Sequence, residues 1–253
     1  MQRLDRLDAL RGLAMVWMAG FHFCFDLNHL RLWKSAQDFY HDPFWTVQRT
    51  LIVSLFLLCA GMGQALAHDS AGNSKRFWRR WRQVAGCALL VSAGSAWMFP
   101  HSWISFGVLH GIAVMWILMR VGAAWGVPWR RVGAWAGACL ILLPQVGSHP
   151  WFDSRWTSWI GLVTHKPVTE DYVPVLPWLG VMVWGWTLAG WLLSQPLGSR
   201  FDLLRGEVIP VLKPFAVLGR WSLSFYMVHQ PVIIGVLMAG LQWGWWSAGT
   251  MPR

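Results

Sequence analysis

Windows free of Asp, Glu, Lys and Arg recur along this chain, and several are long enough to cross a hydrocarbon layer, which takes about 20 residues of helix. They predict helices at about 10–27, 47–67, 83–99, 103–119, 132–147, 173–193 and 217–240. The apolar run from 83 to 119 is too long for one crossing. Pro100, His101 and Ser102 interrupt it, so it reads as a tight hairpin of two helices. The last window stays uncharged from Trp221 to Pro252, and Pro231 is the expected point of a kink or split. The fold class is all-α: a polytopic transmembrane helical bundle of seven spans, with eight the alternative.

Composition agrees. Of 253 residues, 55% are apolar, 13% are charged and 22 are tryptophan, with mean hydropathy +0.39. A soluble domain carries about 25% charge, so disorder, a fibrous protein and an ordinary cytosolic enzyme are excluded. A net charge of +10 would suggest nucleic acid in a soluble protein; here the position of each base matters more, and no nucleic-acid partner is expected. With seven spans, fifteen Lys and Arg fall on the side of the N-terminus and the basic 75–82 segment, and six on the other. The positive-inside rule then makes the N-terminus cytosolic and turns loops 28–46 and 148–172 outward. Trp97, Trp103, Trp125, Trp129, Trp135, Trp178 and Trp243 lie near span ends, as interfacial anchors do. Cys24, Cys59, Cys87 and Cys139 have no metal or disulfide spacing. The first window resembles a signal peptide in its basic flank, but it carries His22 and Asp26 and no small-residue cleavage site follows, so it reads as a retained span. With no repeat or low-complexity tract, residues 1–253 form one integral-membrane domain.

Ionisable groups at membrane depth are costly and are functional candidates by default. Four stand out: His22 and Asp26 in the first span, His110 in the fourth and His229 in the seventh. Arg11 and His22 are eleven residues apart, about three turns, so they share a helix face about 16 Å apart along the axis. Met15, Met18 and Asp26 continue that stripe. Arg11 at the cytosolic mouth could hold a phosphate-bearing carrier. His22, oriented by Asp26 one turn further out, could act as general base. The bland readings are interhelical hydrogen bonding for the histidine and snorkelling for the arginine. His110 and His229 could converge with His22 on one cavity, or be satisfied core histidines. A metal is disfavoured for lack of i, i+4 spacing, and haem would need facing histidines at matched depth. Asp8 could pair with Arg11 at the surface and be only structural. His41, in FYHDPFW, is the other candidate base, outside the membrane. Pro174 and Pro177 open the sixth span, leaving Asp171 and Tyr172 at the outer mouth.

RLDRLDALRGLAMVWMAGFHFCFDL resembles the N-terminal signature of the transmembrane acyltransferases that include heparan-alpha-glucosaminide N-acetyltransferase, and most of all their small bacterial members. The resemblance continues through LFLLCAGMG at 55–63, FGVLHG at 106–111, DYVPVLPWLG at 171–180 and LGRWSLSFYMVHQPV at 218–232. Arg11 followed after ten residues by His22 is also similar to a motif of the type-three acyltransferases. The resemblance implies a multi-pass enzyme of the bacterial inner membrane. It would take an acetyl or longer acyl group from cytosolic acyl-CoA, the co-substrate, and pass it to a hydroxyl or amine of a cell-surface glycan or glycolipid. Arg11 would hold the donor, with His110 and His229 positioning it or donating to the developing oxyanion, and the base would be His22, oriented by Asp26, or else His41. His41 is similar in position to the loop histidine of the eukaryotic enzyme, with Trp45 after it and Gly61 about twenty residues on. No metal is implied. Membrane lipid is the surrounding partner, and homo-oligomerisation stays open. The alternative is a non-enzymatic transporter or export subunit for a glycan or lipid-linked sugar.

Overall fold

The structure, a computed structural model, describes residues 4–33, 35–68, 74–196, 203–204 and 206–246. Arg3, Lys34, Arg200, Arg205 and Arg253, which enter the charge distribution above, lie outside the described residues, as does the side chain of Arg130. Among the described residues the chain is all-helical: α1 (Asp5–His29), α2 (Pro43–His68), α3 (Ser74–Met98), α4 (Val108–Ala124), α5 (Trp129–Val146), α6 (Val175–Ser194), α7 (Lys213–Arg220) and α8 (Ser222–Gln242), with three short 3-10 turns. The one strand-like pairing there is an isolated parallel bridge between Phe106 and Tyr172.

Each expected span has its helix, with two differences of physical interest. The basic 75–82 segment is not a loop but the opening of α3. Lys and Arg are good helix formers. Phe77, Trp81, Val84 and Ala88 also recur at spacings of four, three and four, which puts them on one face. Phe77, Val84 and Ala88 are buried, the Trp81 indole donates to the Ala113 carbonyl at 3.0 Å, and the Arg120 guanidinium lies 4.4 Å over the Phe77 ring. The second difference concerns the last window. It breaks at Trp221, not at Pro231, where the Trp221 N–H turns back to the Leu218 carbonyl at 2.9 Å. Pro231 sits inside α8. At eight residues, α7 is about 12 Å long and too short to cross a bilayer.

Among the described residues, α2, α6 and α8 are long and apolar enough to span a membrane, and α4 and Arg131–Val146 are shorter apolar helices. In α1 the charges Asp5, Arg6, Asp8 and Arg11 are gathered in the first two turns, where the acids oppose the positive end of the helix dipole.

The described residues divide into two compact units: one within Phe56–Arg205, the other formed by Leu4–Leu55 and Gly206–Arg253. In the first, α5 and α6 are tied by the Trp184 indole to the Ala134 carbonyl at 2.9 Å and by the Thr187 hydroxyl to the Trp129 carbonyl at 3.0 Å. Pro174 precedes the first residue of α6, Pro177 lies in its first turn, and the Leu176–Pro177 bond is cis.

In the second unit α1 crosses α7 backbone to backbone. A Cβ on Gly12 would overlap the Phe215 carbonyl, and one on Gly219 would overlap the Asp8 carbonyl. Only glycines allow that approach. Around the crossing, Arg11 pairs with Asp8 at 3.1 Å and Arg220 with Asp5 at 2.9 Å, with the second Asp8 oxygen 4.0 Å from Arg220. The obstruction is backbone, which cannot swing aside, so Gly12→Ala should cost at least the 1–3 kcal/mol usual for overpacking. Gly20→Ala, on the same helix but facing open space, should be neutral or gain up to about 1 kcal/mol from helix propensity. Thermal unfolding of the two variants in detergent checks the contrast.

Candidate active site

The inward stripe of α1 is built as its spacing predicts. Met15 and Met18 are buried, Asp26 is 4% exposed, and Arg11 and His22 are half-buried along the same line. Asp8, expected at the surface, is buried while it holds Arg11. Arg11 is therefore anchored by a carboxylate at the α1–α7 crossing.

His22 faces α8. Its ring centroid lies 5.3 Å from that of His229, with the planes tilted by 59°. His229 is 8% exposed, and its Nδ1 lies 2.8 Å from the Tyr226 carbonyl. A carbonyl only accepts, so Nδ1 carries the proton and donates it, and in the neutral ring Nε2 is left as a bare acceptor. That Nε2 is buried and has no hydrogen-bond partner. An oxyanion-donor role for His229 needs an N–H at Nε2, and the neutral ring held this way has none.

Asp26 does not reach His22 through a hydrogen bond. Both of its carboxylate oxygens accept from the Gln230 amide, at 3.0 Å each, while Gln230 Oε1 is buried without a partner. Consecutive residues of α8 thus present two unsatisfied acceptors, His229 Nε2 and Gln230 Oε1. Buried acceptors of this kind cost about 1–3 kcal/mol each unless a donor meets them. The sequence reading missed Gln230 because it sought ionisable groups. An amide beside a histidine inside an apolar helix was the signal.

His41 sits elsewhere in the same unit, in the exposed turn before α2. Its side chain is 86% exposed and its Nδ1 lies 2.9 Å from Asp38. Aromatic packing secures the turn: Phe39 stacks on Trp45 at 4.0 Å, and Phe21 and Phe25 meet Phe39 edge-on.

His110 belongs to the other unit, where both ring nitrogens are engaged. Nδ1 accepts from the Gly107 N–H at 3.3 Å. Nε2 then carries the proton and donates to the Ser92 hydroxyl at 3.1 Å, which in turn donates to the Ile104 carbonyl at 2.6 Å. The ring thereby fixes the turn that starts α4. Asp171, expected at the outer mouth, reaches the same turn and accepts from the Val108 N–H at 2.8 Å. Tyr172 donates to the Ser158 carbonyl at 2.7 Å; burial, and then the charge of Asp153, pushes its hydroxyl up. The two motifs FGVLHG and DYVPVLPW are thus joined. Among the described residues no three His, Cys, Asp or Glu come together in a way that could hold a metal ion.

A helical membrane protein with a histidine pair beside an amide-clamped carboxylate is the class these features define. The chain matches the catalytic family of heparan-alpha-glucosaminide N-acetyltransferase over residues 3–231. It belongs to that family, a family of membrane acetyltransferases. Neither the curated proteins nor the solved structures include a match to it.

The Asp38 turn yields a pH prediction. The His41 N–H, then the Tyr40 N–H, each at 3.0 Å, hold the Asp38 carboxyl below its ordinary range. A carboxyl depressed in the folded state stabilises above its unfolded value of about 3.9, and the contribution is lost as pH falls through the lower folded value. Hydrogen-exchange protection at Tyr40 and His41 should persist to about pH 4 and fade below it. In Asp38→Ala it should be weak at every pH.

Proposed function

We propose that this protein transfers an acetyl or longer acyl group from cytosolic acyl-CoA to a hydroxyl or amine of a glycan or glycolipid on the far side of a bacterial inner membrane. The observation that carries the reading is the closeness of the His22 ring to that of His229, whose Nε2 is bare, on the helix face that also bears Arg11, in a member of an acetyltransferase family. In this reading α1 to α6 and α8 supply seven crossings, the N-terminus is cytosolic and α7 lies at the membrane surface.

Arg11 stands at the donor end of the stripe. Its guanidinium, balanced by Asp8, keeps a positive edge toward the phosphates of the carrier. The acceptor's O–H or N–H meets His22 as general base. As the new bond to the acyl carbon forms, the proton passes to the imidazole, the carbon–sulfur bond breaks and the CoA thiolate leaves to be reprotonated. His229 Nε2 accepts a hydrogen bond from the imidazolium or from the incoming nucleophile. Asp26, clamped by Gln230, stands one turn from His22. No covalent intermediate on the protein is needed. His110 has a supporting part, holding the Ser92–Gly107 turn.

A general base contributes about 10²–10⁴ in rate. Membranes containing the protein should convert radiolabelled acetyl-CoA, and His22→Ala should slow that conversion by about this factor at unchanged expression. His41→Ala should leave it within about threefold, as expected of a residue that takes no proton in the reaction. A fully active His22→Ala protein, or label untouched by the wild type, would remove the proposal.

A further inference from the structure

One face of α3 is packed and the opposite face is not. Phe77, Val84, Ala88 and Ser95 are buried, and at about 100° per residue they fall within one narrow sector. Lys75, Arg79 and Arg82 point about 180° away, and so do Leu89, Leu90 and Trp97. All six are exposed, with Leu89 at 68%, Leu90 at 64% and Trp97 at 85%. The bare stripe is thus divided along its length, with cations over the first two turns and apolar side chains after them. Arg76 and the exposed Trp78 flank the cationic end. There is no acidic residue in α3 to neutralise it, and Lys75, Arg76, Arg79 and Arg82 have no ion-pair partner among the described residues. Between the two halves Gly86 faces open space, a notch on the stripe's midline.

We infer that this stripe binds an anionic phospholipid, its headgroup phosphate on Lys75, Arg76, Arg79 and Arg82 and its acyl chains along Gly86, Leu89 and Leu90. The division of the stripe commits the occupant. From the last cation to Leu90 is eight residues, about 12 Å of helix, within the roughly 15 Å of one leaflet's chains. A soluble phosphate compound matches only the cationic half. A zwitterionic lipid matches the apolar half, but its headgroup brings a cation with its phosphate and leaves the four bases without a net counter-charge. An anionic lipid matches both, and cations beside an anionic leaflet gain about 1 kcal/mol each. The inference is independent of the proposed acyl transfer, since it needs neither His22 nor a donor.

The test is lipid retention. Full-length protein is reconstituted in nanodiscs of phosphatidylcholine with one part in three phosphatidylglycerol, released into mild detergent and weighed by native mass spectrometry. The wild type should keep phosphatidylglycerol in preference to phosphatidylcholine. The variant K75Q/R76Q/R79Q/R82Q should lose most of that preference, at about fivefold per cation at most, whereas R76K/R79K/R82K should keep it. Leu90→Gln should weaken retention while leaving the cations in place. Three results overturn the inference: equal retention of both lipids by the wild type, undiminished preference in the four-glutamine variant, or displacement of the lipid by millimolar glycerol phosphate. Circular dichroism of each variant, unchanged from the wild type, shows that a loss of lipid is not a loss of fold.

Discussion

The unit formed by Leu4–Leu55 and Gly206–Arg253 depends on one close approach, the passage of α7 across α1 at Gly12 and Gly219. Backbones that near cannot accept a side chain at either position, so the crossing fixes where α1 lies along α7. With the crossing closed, the buried Asp8 carboxylate meets cations that come with the two helices, Arg11 from α1 and Arg220 from α7. The LRG and LGR segments, far apart in sequence, are two halves of one joint. Immediately after the joint the chain turns at Trp221 and starts α8, which brings His229 and Gln230 to the inward stripe of α1.

What results is an environment short of donors. His229 Nε2 and Gln230 Oε1 are both acceptors and both buried without a partner, and the Asp26 carboxylate beside them is also an acceptor. Removing polar groups from water without pairing them is unfavourable, and an arrangement of several such groups of the same kind is matched by a ligand rich in O–H or N–H. The sugar of the proposed reaction would be such a ligand. The His22 ring lies against His229 in this neighbourhood, where a nucleophile's proton could be taken.

Much of this was legible in the sequence. Charge-free windows located the helices to within about five residues, the start of α3 apart, because long apolar runs leave little choice of structure. The shared face of Arg11, Met15, Met18, His22 and Asp26 followed from helical geometry alone. Less legible were features set by tertiary packing. Residues 75–82 look like a connecting loop by charge, but Phe77 and Trp81 supply an anchoring face that continues α3 backward to Ser74. The last window broke at Trp221 although Pro231 was the more conspicuous breaker. Pro231 forfeits one hydrogen bond inside an otherwise apolar helix, while the turn at Trp221 is dictated by α7 docking on α1. His110, legible either as a companion of His22 or as a satisfied core histidine, is engaged by Ser92 and Gly107. Conversely Gln230, uncharged and unremarked, turned out to hold Asp26.

The proposed function requires that the Arg11–His22 face of α1 line a path that water and the acyl donor enter. Cysteine accessibility tests it most directly, in a background with Cys24, Cys59, Cys87 and Cys139 replaced by serine or alanine. A cysteine at position 18 of the inward stripe should react with a small charged thiol reagent, and acyl-CoA should protect it. A cysteine at position 16, on the exposed outer face, should react only with a lipid-soluble maleimide. Silence of position 18 toward the charged reagent, or labelling that acyl-CoA leaves unchanged, would contradict the account.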